Sequence, residues 1–149
     1  TNTKGNGIMN HTFAGYVPYK GDIPGRARGS LVAFEQGETT GYGIFSLQDR
    51  GTMFISPGQA VYEGMIVGEN SREMDIDINP CKAKHVSNMR TSASDEAIRL
   101  VPPRILSLEQ AIEYINQDEL VEVTPESIRL RKAILDRTTR GRASKNARK

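Results

Sequence analysis

Apolar residues in this chain come in short runs, and glycine or proline closes nearly every one. Gly7 to Tyr16 reads as a strand. Lys20 to Gly29 then holds four glycine or proline residues and three basic ones, the punctuation of a linker, with a domain boundary near Arg28. Ser30 to Glu35 is an apolar run closed by Gln36-Gly37. Glu38 to Leu47, rich in Thr, Tyr and Phe, is the expected second arm of a hairpin. Asp49-Arg50-Gly51 and Pro57-Gly58 turn the chain on either side of Thr52–Ile55. Val61-Tyr62 and Met65–Val67 flank Glu63-Gly64, and Met74–Ile78 alternates Met, Ile, Ile with Asp, Asp. Short strands at close intervals predict a sandwich or partly closed barrel.

Lys82 to Glu96 is polar with little alternation and reads as a strand end running into an exposed loop, after which Ala97–Val101 returns to the sheet and Pro102-Pro103 stops it. One helix is well marked. Ser107 is its cap, Gln110 stands at capping-box spacing, and Leu108, Ala111, Ile112 and Ile115 recur on one face, with an end near Gln117. Leu120, Val121 and Val123, then Ile128 and Leu130 alternating with Arg129 and Arg131, predict a hairpin that turns at Pro125-Glu126. The fold class is α+β, predominantly β, with one marked helix.

Charge changes this picture more than composition does. Of 149 residues, 37% are hydrophobic and 26% charged, which suits a packed domain, and the net charge is only +2. From Ser127 to Lys149, however, nine basic residues stand against one acid, Asp136, while the preceding residues are net acidic. A basic end of this kind is first a polyanion contact and second a solvated surface. No apolar run is long enough for a membrane helix. A single cysteine, Cys81, forms no internal disulfide, and two histidines with it are too few for a zinc site.

Catalytic constellations are weak throughout. Gly5-Asn6-Gly7 lacks the spacing and the lysine of a phosphate-binding loop. Asp75 and Asp77 share one face of a strand, which a wet face explains better than a cation. Cys81 and His85 lack the company a thiol–imidazole pair needs. The basic groups are stronger candidates. Lys82, Lys84, His85, Asn88 and Arg90 gather within nine residues, and Arg129 and Arg131 leave one strand face with Lys132 beyond. All can donate to phosphate or ribose oxygens, and Arg90 can also stack on a base.

Several blocks, in order, resemble the carboxyl-terminal domain of the TypA/BipA translational GTPases. They are Gln48-Asp49-Arg50-Gly51, Met53-Phe54-Ile55, Val61 through Glu69, Lys82-Ala83-Lys84-His85, Asn88-Met89-Arg90, Leu108 through Ala111, Glu113-Tyr114-Ile115, Asp118 through Pro125 and Ser127 through Lys132. Gly7-Ile8-Met9-Asn10 through Tyr19 is similar to the last strand of the ferredoxin-like fifth domain shared with elongation factor G. The resemblance divides the chain into residues 1–28, the end of that fifth domain and its linker, and residues 29–149, the family's carboxyl-terminal domain with a basic tail.

That resemblance implies a cytoplasmic ribosome-docking region without catalytic residues of its own, in a factor tied to large-subunit assembly and stress adaptation. It implies GTP and magnesium in a GTPase domain outside this sequence, and no cofactor or metal within it. The implied partners are large-subunit RNA and aminoacyl-site tRNA, with no membrane and no DNA. Its RNA contacts are Lys82, Lys84, His85, Asn88, Arg90, Arg129, Arg131 and Lys132, and the loop from Asn88 to Glu96 reaches deepest. Two departures stand out. The loop reads Thr91-Ser92-Ala93-Ser94 where the family often carries a lysine, and the tail reads Thr138-Thr139-Arg140-Gly141 where the family tends to a helical, arginine-rich end. Gly141 costs a helix about 1 kcal/mol against alanine, so Thr138 to Lys149 is expected to fray. The rival reading is a protein-interaction module whose basic tail only keeps it in solution.

Overall fold

The structure is a computed structural model that describes residues 6–19, 21, 25–83 and 99–147. Its centre is an open, mixed sheet of six strands: β1 (Ser30–Ala33), β3 (Gly51–Met53), β5 (Met65–Asn70), β6 (Ile76–Ile78), β7 (Glu119–Val123) and β8 (Ile128–Lys132). The order is β6-β1-β5-β8-β7, and β3 shares an edge of β5 with β8. Pairing is antiparallel except between β1 and β6. The short strands β2 (Gly37–Glu38) and β4 (Ala60–Val61) form a separate ribbon. The α+β, mainly β class holds, but the sheet does not close into a barrel.

Period-two alternation sends side chains from the same strands into two cores. Leu31, Ala33, Met65 and Val67 pack on one face with Ile44, Leu47 and Met53. Val32, Ile66 and Leu130 pack on the other with Ala111 and Tyr114. All four residues of β1 are buried, as a strand covered on both faces requires.

Helix α1 (Gly41–Leu47) lies where a strand was expected. Thr40 caps it, its hydroxyl accepting from the Gly43 N–H at 2.9 Å. Ile44 and Leu47, three apart, are both buried on the first core. That helical spacing and cap outweigh the strand preference of Thr, Tyr and Phe.

Helix α2 (Leu108–Tyr114) has the expected capping box between Ser107 and Gln110 but ends before Gln117. The β7–β8 hairpin is as expected, with Thr124 and Ser127 closing its turn. Neither residues 6–16 nor Arg99–Val101 form strands. The former present Ile8, Met9, Phe13 and Tyr16 to solvent.

The basic end is helical: α3 spans Arg137–Ala147. Asp136 accepts from the Thr138 and Thr139 N–H groups, both at 3.1 Å, and Asp77 pairs with both Arg137 and Arg140. An N-terminal cap and a tethered first turn oppose the cost of Gly141.

Candidate nucleic-acid interface

The basic residues of β8 do not share one environment. The strand alternates, so Arg129 and Arg131 lie on one face while Leu130 and Lys132 turn to the other. Arg129 and Arg131 are half-buried. Across the hairpin, Glu122 pairs in register with Arg129, and its carboxylate lies 2.7 Å from Arg131 Nε. The Tyr62 hydroxyl donates to the same carboxylate at 2.5 Å, and burial together with that bond raises the phenol above its ordinary range. This face thus holds two guanidinium groups and one carboxylate, which contacts that of Arg131, leaving positive charge to spare. The Nε atoms of both arginines are buried without an aligned acceptor.

Lys132 is corrected as an RNA contact. Its side chain is 2% exposed, and its ammonium meets Asp75, Asp118 at 2.8 Å and Glu119 at 2.9 Å. Burial opposes the charge, but hydrogen bonds to Asp118, Asp75 and Glu119 outweigh it and raise the pKa. Glu119, wholly buried, also takes a two-pronged bond from Arg26, both contacts at 3.0 Å, and bonds from the Ser30 hydroxyl and the Asn116 N–H. Burial alone would raise its pKa, yet the bonds from Arg26 and Lys132 hold it below the ordinary carboxylate value. Arg26 also lies 4.1 Å over the Tyr114 ring and donates to the Tyr114 carbonyl. This network joins the linker, β1, α2, β7 and β8. Its signal in the sequence was parity: Lys132 shares the strand face of buried Leu130.

Lys82 is exposed beyond β6, its carbonyl accepting from the Thr40 hydroxyl. Lys84, His85, Asn88, Arg90 and the loop to Glu96 lie outside the described residues. Asp75 and Asp77 serve protein cations: Asp75 accepts from the Ser30 N–H and meets Lys132, and Asp77 holds α3. Cys81 is a half-buried free thiol whose pKa burial pushes up, the wrong direction for a nucleophile. Among the described residues no group of three or more His, Cys, Asp or Glu could hold a metal ion, and no helix is long and apolar enough to cross a membrane.

Sequence reasoning undervalued α3. Arg137, Arg140, Arg142 and Lys145 give it four positive charges with no acid of its own, and Arg142 and Lys145 are exposed. Two parts of the chain, the arginine face of β8 and α3, therefore carry the surplus charge.

Residues 28–137 match the family described as the TypA/BipA C-terminal domain. The chain belongs to the TypA/BipA family. A Bacillus subtilis relative, named Large ribosomal subunit assembly factor BipA, is 49% identical over 144 residues, covering 96% of this chain and 24% of the relative. A Synechocystis protein of that name is 52% identical over 130 residues, or 87% of this chain and 22% of the relative. A third, from Salmonella typhimurium, is 46% identical over 146 residues, covering 97% and 24%. This TypA/BipA chain thus spans about a quarter of the length of the curated relatives it matches.

Proposed function

We propose that this chain is the ribosome- and RNA-docking end of a GTP-binding translation factor that takes part in large-subunit assembly and stress adaptation. The observation that carries the reading is the surplus positive charge of β8 and α3, in a chain whose relatives are named large ribosomal subunit assembly factors. Residues 1–28 are the end of an elongation-factor-G-like fifth domain and its linker, and residues 29–149 are the docking domain. Lys82, Arg129, Arg131, Arg142 and Lys145 meet phosphates of large-subunit RNA and of aminoacyl-site tRNA, and Lys84, His85, Asn88 and Arg90 join them as the donors gathered next to Lys82 in the sequence. The contacts position the factor and do no chemistry.

The whole protein is a cytoplasmic, ribosome-stimulated GTPase whose GTP and magnesium are held outside these 149 residues. The purified chain is expected to turn over no GTP in the presence of magnesium. Turnover that survives further purification contradicts that expectation.

Titration of purified large subunits at several salt concentrations tests docking. If about five of these groups meet phosphates, the slope of log K against log salt is roughly −3.5 to −4.5. Replacing Arg129 and Arg131 together by alanine flattens it by about 1.4 to 1.8, at roughly 0.7 to 0.9 per contact. Lys132→Met leaves the slope unchanged. A flat slope for the intact chain refutes the docking reading and favours a protein partner bound through apolar surface.

A further inference from the structure

The sheet is split at one place. Strands β3 and β8 both pair with β5 on the same edge, β3 through Met53 opposite Gly68 and β8 through Leu130 opposite Ile66. Beyond those pairs the chain leading out of β3 and the chain leading into β8 separate. A cleft of about 560 Å³ opens between them. Phe54, Ile66, Ile105, Ala111, Ile128 and Leu130 supply much of its apolar wall. Ile105 is 84% exposed at this cleft, although a residue of its kind is ordinarily covered.

Two polar features border this space. The first is Arg129, which lines the cleft and whose Nε is buried without a partner. A buried donor of this kind calls for an acceptor. The second is the backbone of Ile128. In the antiparallel hairpin, Thr124 N–H bonds to Ser127 C=O and Ala133 N–H to Asp118 C=O, so odd-numbered residues of β8 bond toward β7. Even-numbered residues bond the other way, as the Lys132 N–H does to the Gly64 carbonyl. Ile128 therefore turns its N–H and C=O away from β7, toward the cleft.

We propose that this cleft takes one unstacked RNA nucleotide, its base in the apolar slot, its edge read by the Ile128 backbone, and an oxygen of the nucleotide on Arg129. The proposal rests on the docking reading and names a ligand subsite within it. A base offers the flat apolar face that the walls need and the paired donor and acceptor that one residue's backbone can read, which is how single-stranded RNA is recognised. An added peptide strand fits less well. It needs a run of free backbone groups along an edge, whereas Leu130 is already engaged with Ile66 and the hairpin turn closes the other side at Thr124 and Ser127.

Two experiments on the 149-residue chain test this. In the first, nucleoside 5′-monophosphates of the four RNA bases are titrated into labelled protein and amide and methyl shifts are followed. The expected result is saturable shifts at Phe54, Ile105 and Ile128 with a preference among bases. In the second, Arg129→Lys and Ile105→Ala are titrated against large subunits over a range of salt. Lysine keeps the charge but lacks the Nε donor, and Ile105 is exposed, so both variants are expected to fold. Each should weaken binding about tenfold, within the range that a single base contact contributes, while leaving the salt slope unchanged.

Unchanged affinity in both variants together with no saturable cleft shifts overturns the subsite while leaving docking intact. Cleft shifts caused by inorganic phosphate alone, without preference among bases, also overturn it. Loss of salt-dependent subunit binding by the unaltered chain overturns docking itself, whereas the monophosphate titration still reads the cleft.

Discussion

Replacing Glu119 by alanine is the sharpest test of how this domain is held together. The carboxylate has no exposed surface and accepts five hydrogen bonds: two from Arg26, one each from Lys132, Ser30 and Asn116. Summing them would overstate the loss, because the partners fare differently. Lys132 keeps Asp75 and Asp118, whose side chains are 42% and 64% exposed and link it to solvent. Arg26 loses its carboxylate and keeps the Arg28 and Tyr114 carbonyls and the Tyr114 ring, none of them charged, with its side chain 8% exposed. The cost is that of stranding one buried cation, about 3–5 kcal/mol, which is a large part of the roughly 5–15 kcal/mol that holds a domain folded. Urea unfolding followed by circular dichroism measures it. Glu119→Gln should cost less, because it keeps the shape and part of the bonding. The sign with pH is fixed: a carboxyl held below its ordinary pKa stabilises the fold fully above the ordinary carboxylate range. That contribution fades as pH falls through the folded-state value. Glu119→Gln should therefore flatten the acid limb of the stability curve. A loss under about 1 kcal/mol for Glu119→Ala, with the acid limb unchanged, would show that desolvation cancels the network and refute this reasoning.

Two further perturbations probe other parts of the fold. Gly64 has φ +83°, and a Cβ there would lie 2.7 Å from the Leu135 Cα, so Gly64→Ala should cost at least about 1 kcal/mol in a urea titration. Asp77→Asn should raise amide exchange through the first turn of α3, because Arg137 and Arg140 lose their shared anchor; unchanged exchange would mean that the Asp136 cap and the Glu63 bond to the Arg137 N–H hold the helix without it.

Strand periodicity and turn chemistry made much of this fold readable. The β7–β8 hairpin was plain because Leu130 alternates with two arginines and Pro125-Glu126 interrupts the run. The Ser107–Gln110 box was plain because it is a local device with fixed spacing. Helix α1 was hidden because Thr, Tyr and Phe favour strands, while the burial of Ile44 and Leu47 depends on a core that forms far along the chain. Lys132 was misread for a related reason. Lysine looks like surface, and only the approach of Asp75 from just before β6, of Asp118 from just before β7 and of Glu119 in β7 makes an interior place for it. The order of α3 escaped notice because its tether, Asp77, lies far upstream.

Strand β5 has one edge that two different partners share, and they are synthesised at different times. Residues of β3 precede it, whereas β8 follows only after α2 and β7. During synthesis the Gly64–Ile66 stretch at the start of β5 therefore waits with backbone groups unfilled, the Gly64 carbonyl among them, until β6, α2 and β7 have been made. An apolar strand edge left open in this way is a template for wrong pairing between nascent chains. Closure by β8 also brings Lys132 to Glu119, so edge protection and charge burial are completed in one late step. Truncation before Ile128 would leave both undone, and the shortened domain would aggregate.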